Sequence, residues 1–273
     1  MSILVDAETA ERVARLELPF NSFGFDPYGV SRDAVARAMS MARLMYRKYF
    51  KVTVHGLEHV PPRGRAMLVG NHSGGVALDA AIVISAVFFD LDPPRLAQGM
   101  AEKFINRMPF LSHWANRTGQ FTGLPEHAAR LLRDERLLLV FPEGARGTAK
   151  LYPERHSLVQ FGTGFMRLAL ETQTPIIPFA FLGGGDAIPT VFNAYKLGRA
   201  IGAPYIPFTP WIVPIPLPVR LDLRFGPPMR FEGTGSENDD AVYLHVERVK
   251  QTISHMIDEG VAQRSRRYAT DER

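Results

Sequence analysis

Three apolar blocks, AMLVG (66–70), RLLLVF (136–141) and TPIIPFAF (174–181), punctuate a chain whose intervening stretches carry helical spacing. That alternation narrows the possible folds more than any other feature. A short apolar run without polar alternation suits a strand buried on both faces. Strands of that kind separated by helices build a largely parallel sheet covered on both sides. Further strands are expected at FKVTV (50–54), RLAQGM (95–100) and VRLDLRF (219–225), the last with one wet face because charge alternates with apolar bulk. Helical periodicity runs over 78–89, 125–134, 158–171 and 240–263. The expected fold is α/β, a largely parallel central sheet flanked by helices, with an N-terminal amphipathic helical segment. Residues 1–49 form that segment, and 50–273 form the α/β domain with its C-terminal helix.

The N-terminal segment is read from RDAVARAMSMARLMYRKYF (32–50). Val35, Ala38, Met39, Ala42, Met45, Tyr46 and Tyr49 share one face, and Arg32, Arg43 and Arg47 another. Two readings stay open: a helix packed on the domain, or a basic amphipathic helix lying on an anionic membrane. The apolar run AAIVISAVFF (80–89) lies between Asp79 and Asp90 and falls well short of the roughly 20 residues a spanning helix needs. No crossing of a bilayer is expected, and the N-terminus does not read as a signal peptide. A peripheral position at the cytoplasmic face of a membrane is the expectation.

Composition excludes some chemistry. The chain has no cysteine, which removes thiolate nucleophiles, disulfides and zinc–thiolate sites. Its net charge of +4 favours anionic partners such as phosphates, coenzyme A, acidic lipid or nucleic acid, without choosing among them. Within that set nucleic acid is disfavoured, because the basic residues are not interleaved with aromatics on one surface.

Three stretches at predicted strand ends carry reactive side chains, where open α/β sheets bind ligands. GNHSGGVALD (70–79) offers His72 as a general base and Asp79 as a carboxylate to orient it. On one regular helix the two would lie about two turns, or ~10 Å, apart. Direct pairing therefore demands a bent loop, which Gly74 and Gly75 permit. FPEGARG (141–147) brings Glu143, Gly144 and Arg146 to the same rim, with an arginine suited to bidentate phosphate binding. MAEKFINRMPF (100–110) adds Lys103 and Arg107, four apart on an expected helical turn.

Taken together, these stretches resemble the lysophospholipid or glycerolipid acyltransferase family. NHSGGVALD (71–79) looks like its NHxxxxD motif, FPEGAR (141–146) its third motif and TPIIP (174–178) its fourth. The tracts at 150–178 and 216–229 look like the diacylglycerol-acyltransferase-like branch. There are two departures. The His72–Asp79 interval is two residues longer than the family pattern, and TGQFTG (118–123), where the family carries a substrate-binding arginine, has none. Arg117 is the nearest substitute, with Lys103 and Arg107 as others.

The resemblance implies acyl transfer from an acyl thioester to a glycerolipid hydroxyl in phospholipid synthesis or remodelling. His72 would be the base and Asp79 its orienting partner, with Arg146 binding the acceptor phosphate and Glu143 positioning either the loop or the acceptor. No metal or resident cofactor is implied; acyl-coenzyme A or an acyl-carrier protein would be co-substrate. The tract YIPFTPWIVPIPLPV (205–219) reads as an acyl-lining or membrane-dipping loop, or as a cover over the core. Alternatives are the same chemistry on a neutral acceptor, such as a mono- or diacylglycerol or a long-chain alcohol, and a non-catalytic lipid-binding relative.

Overall fold

The three apolar blocks form the centre of the sheet, as their uninterrupted hydrophobicity requires. The structure, a computed structural model, describes residues 5–74, 78–101, 109–122, 124–200 and 202–271. Its strands are β1 (Thr53–His55), β2 (Ala66–Gly70), β3 (Ala97–Ala101), β4 (Phe121–Thr122), β5 (Leu137–Val140), β6 (Ile176–Leu182), β7 (Phe192–Asn193), β8 (Pro207–Phe208) and β9 (Asp222–Phe225). Its helices are α1 (Ala7–Ala14), α2 (Arg32–Arg43), α3 (Leu78–Phe89), α4 (Pro109–Arg117), α5 (Pro125–Arg133), α6 (Ala145–Thr148), α7 (Gly164–Glu171), α8 (Gly184–Ala187), α9 (Tyr195–Ala200) and α10 (Asp239–Asp271). The main sheet has the order β1-β9-β6-β2-β5-β3-β4, and β7 pairs with β8 in a separate ribbon.

Strands β6, β2, β5, β3 and β4 are mutually parallel. β9 runs antiparallel to β6, and β1 follows β9. A parallel neighbour needs a crossover that returns the chain to the far end of the sheet. The proline-rich tract between β8 and β9 provides no such crossover, so β9 starts at the end where β6 stopped.

The pleat sorts the core into two faces. Leu68, Leu139, Phe179 and Phe181 pack with residues of α1, α2 and α3. Met67, Val69, Leu138, Val140, Ala180 and Leu182 pack with α5, α7 and α10. The long α10 lays a stripe of Val242, Val246, Val249, Ile253 and Ile257 on that second face. Near its end Arg264 reaches Asp222 of β9 (2.5 Å) and Asp186 of α8 (3.3 Å).

The N-terminal segment joins the first core through Val13, Val35, Met39, Tyr46 and Phe50. The helix expected over 32–50 is α2 continued by a π-helical stretch, Leu44–Tyr49. Burial pushes the Tyr46 phenol up from its ordinary range, and its hydroxyl hydrogen-bonds Asp90. Two arginines of the basic face pair within the protein: Arg43 with Glu8 and Asp6, and Arg47 with Asp90. The other side of the same helix leaves Met41, Leu44, Met45 and Tyr49 exposed.

Candidate active site

Two neighbouring strands deliver the site. Val69 of β2 is in register with Val140 of β5, so the chains leave the sheet side by side at Asn71-His72 and Pro142-Glu143. The pleat puts His72 and Phe141 toward the α3 face. Their rings stack, with centroids 4.1 Å apart and planes 14° from parallel. Asn71 ties this exit to β6: its amide donates to the Phe181 carbonyl (2.9 Å) and its oxygen accepts from the Phe181 N–H (2.7 Å). Asn71→Ala leaves both main-chain groups buried and unmet. A loss of about 2–4 kcal/mol is expected, read from the denaturation midpoint.

His72 and Asp79 do meet. Nδ1 lies 2.6 Å from Asp79 Oδ2, and the carboxylate sits fully buried in the first turn of α3. The carboxylate also accepts the N–H groups of Ser73 (2.8 Å) and Ala80 (2.8 Å). A carboxylate so engaged only accepts, so Nδ1 carries the imidazole proton and Nε2 is left as the basic nitrogen. The bend that closes the distance uses Gly74 at φ +99°, a conformation open to glycine; Gly75 lies outside the described residues.

Glu143 is enclosed by its own chain. One oxygen accepts from the His72 N–H (2.8 Å) and the other from the Val159 N–H (2.9 Å). Lys150 Nζ bridges both at 3.2 and 3.0 Å, and also donates to the Ser157 carbonyl (2.8 Å). Of the two roles expected for Glu143, this geometry fits positioning the loop rather than holding an acceptor. Gly144 takes φ 57°, ψ −157° ahead of α6, a backbone region essentially confined to glycine. Gly147 of α6 is pressed between the two strand exits: a Cβ there would stand 2.7 Å from the Cβ atoms of both His72 and Glu143.

Of the expected phosphate-binding cations, Arg146 and Arg117 are described, and their partners are other than His72. Arg146 is exposed and donates to the Gln160 carbonyl (3.1 Å). The Arg117 guanidinium lies over the Phe25 ring, 4.4 Å from its centroid. Lys103 and Arg107 lie outside the described residues. Burial and the neighbouring Arg155 hold His156, in the turn after Lys150, below the ordinary histidine range. At neutral pH it adds no charge there. No group of three His, Asp or Glu side chains is placed to hold a metal among the described residues.

His72 lines a cavity of about 590 Å³ between the first sheet face, α2, α3 and α4, closed on one side by residues 203–207. That volume lies within the ~300–1,000 Å³ usual for small-molecule sites. Its walls are apolar, with Met39, Ile84, Trp114 and Phe141 among them, and Thr118, Gln120, Thr148 and Tyr205 as polar members. Tyr205 donates its hydroxyl to Thr148. Among the described lining residues there is no lysine, arginine, aspartate or glutamate. Sequence spacing does not reveal Lys150 as a member of the site, whereas Asn71 lies in the quoted NHSGGVALD stretch and Tyr205 opens the tract expected to line the acyl chain. Phe141 is the first residue of the FPEGAR stretch quoted from the sequence.

A sequence model of the Acyltransferase family matches residues 51–182. The uncharacterized protein Rv0502 of Mycobacterium tuberculosis is 30% identical over 248 residues, covering 87% of this chain and 68% of its own length. ML2427 of Mycobacterium leprae is 28% identical over 87% of this chain and 66% of its own length. Among solved structures, the 1-acyl-sn-glycerophosphate (LPA) acyltransferase PlsC from Thermotoga maritima shares the fold, with a TM-score of 0.56 at 15% identity, over 84% of this chain and 81% of that one. The matched family segment runs from just before β1 to the end of β6 and includes both strand exits that carry His72 and Glu143. That segment belongs to the Acyltransferase family.

Proposed function

We propose that the protein moves a fatty acyl group from an acyl thioester to the hydroxyl of a lysophospholipid, with His72 as general base. The observation that carries this reading is an imidazole held at Nδ1 by a buried carboxylate on the wall of an apolar cavity. Nε2 takes the hydroxyl proton as the oxygen attacks the thioester carbonyl. The tetrahedral intermediate then collapses, the carbon–sulfur bond breaks, and the imidazolium returns the proton to the departing sulfur. Asp79 stabilises that imidazolium and fixes its tautomer. The apolar cavity takes the acyl chain. Coenzyme A and an acyl-carrier protein are the two carriers to try as donor.

The substrates are lipids, and the surface near the cavity fits a bilayer. Trp211, Ile212, Val213 and Ile215 are exposed in the proline-rich tract, and Met41 and Leu44 on the helix beside it. Tyr49 donates to the Pro216 carbonyl (2.7 Å), joining the two groups. No described helix is long and apolar enough to cross a membrane. Docking on the cytoplasmic face of a membrane through this apolar surface is therefore part of the reading. Replacing Ile212 and Ile215 together by aspartate is expected to lower partitioning onto lipid vesicles roughly tenfold or more. An unchanged bound fraction in flotation would remove the surface from the account.

A second reading keeps the chemistry and changes the acceptor to a neutral one, such as monoacylglycerol or a long-chain alcohol. It is favoured by the lack of lysine or arginine among the described residues lining the cavity. Initial rates with lysophosphatidate and monoacylglycerol, each with acyl-coenzyme A and acyl-carrier-protein donors, separate the two. Faster transfer to lysophosphatidate supports the first; transfer to monoacylglycerol alone supports the second. No transfer from any donor favours a lipid-binding relative.

A further inference from the structure

We infer that Lys150 is a positioning residue for acyl transfer. It neutralises the buried Glu143 carboxylate and so keeps the main chain of His72 where its imidazole meets Asp79. This rests on the reading of His72 as the base. Lys150 does not line the cavity, and its side chain is 4% exposed against 0% for Glu143. All three ammonium donors are used, two on the Glu143 oxygens and one on the Ser157 carbonyl. The carboxylate it neutralises holds two further main-chain donors, the N–H groups of His72 and Val159. A path of three contacts thus runs from Lys150 through Glu143 to the His72 backbone and from its ring to Asp79.

Removing the ammonium strands an anion in a site that water does not reach. The carboxyl must then take up a proton or the loop must open. A protonated carboxyl keeps one accepting oxygen, but its O–H faces either the His72 or the Val159 N–H, so in either case the clamp loses one of its two main-chain donors and the loop that holds His72 shifts. A shift of about an ångström at the reacting base is enough to cost roughly 100-fold in rate. A residue that merely bound the acceptor would act on KM instead.

The test compares Lys150→Met, Lys150→Arg and the double variant Glu143→Gln/Lys150→Met with wild type, with His72→Ala as the arm that tests the base itself. Rates are measured with the most active donor and acceptor, and the His72 amide is followed by NMR of histidine-labelled protein. Lys150→Met is expected to lose roughly 100-fold in kcat with acceptor KM within about threefold, and its His72 amide resonance to shift. The double variant leaves no stranded charge, and the carboxamide oxygen introduced by Glu143→Gln can still accept from the His72 N–H. It should regain roughly tenfold of the lost rate and reverse part of the shift.

A folded Lys150→Met enzyme with near-wild-type kcat overturns the inference. So does a raised acceptor KM at unchanged kcat, or a double variant no better than the single. If Lys150→Met does not fold, Lys150→Arg decides: retained charge should keep kcat within roughly tenfold, and a larger loss overturns the electrostatic account. If wild type transfers no acyl group to any acceptor, the functional reading fails. The amide shifts still decide whether Lys150 governs the His72 backbone: a shift in the single variant that reverses in the double supports it, and no shift overturns it.

Discussion

Replacing His72 with alanine is expected to lower kcat by roughly 10²–10⁴-fold in protein that still folds. The imidazole lies at the cavity wall, stacked on Phe141, and its removal takes away the nitrogen held ready to take a hydroxyl proton. Asp79→Asn should approach the same loss by another route. The asparagine amide can donate to Nδ1, which moves the imidazole proton to Nε2 and leaves that nitrogen unable to act as a base. The substitution also weakens the hold on the Ser73 and Ala80 N–H groups, so melting curves must accompany the rates. Undiminished acyl transfer from folded His72→Ala protein would remove His72 from the mechanism.

The second large effect is expected at a residue with no functional group. In Gly147→Val a Cβ would stand 2.7 Å from the Cβ atoms of His72 and Glu143. Neither neighbour can swing away, because Cβ atoms move only with their backbone. The exits of β2 and β5 must therefore separate, and overpacking of this kind costs about 1–3 kcal/mol of stability. Catalysis should suffer more than stability: a base displaced by about an ångström loses roughly 100-fold in kcat. Gly164→Ala is the control, since a Cβ at that first position of α7 meets nothing within 4 Å. It should leave the rate alone and stabilise by roughly 0.4–1 kcal/mol. Equal effects of the two substitutions in melting and kinetics would contradict the close-packing account.

What could be read in the sequence follows from where each signal resides. The buried strands were visible because burial on both faces leaves an unbroken apolar run, and β2, β5 and β6 fall within a residue or two of the expected blocks. The His72–Asp79 pairing rested on the glycines that could bend the loop, and Gly74 does so. The direction of β9 was not legible, since its alternation is the same either way along the sheet. The helix expected over 158–171 starts only at Gly164, because Val159 instead gives its N–H to Glu143. That contact, like the one from Lys150, lies in tertiary space and leaves no periodicity. The arginines show the same limit: composition counts cations, but Arg43, Arg47 and Arg117 find partners within the fold.

The two-faced sheet carries a consequence for length changes near the histidine. Whether the imidazole lies in the cavity or in the packed layer under α7 and α10 is a matter of parity along β2. Deleting one residue between Val69 and His72 would carry the ring to the closed side, among Val140, Phe165 and Ile253. The longer interval toward Asp79 lies downstream, where the chain has already left the pleat and no odd-or-even rule applies. Chain length is thus tightly fixed ahead of the histidine and forgiving behind it, as long as a glycine turn can still bring the carboxylate back.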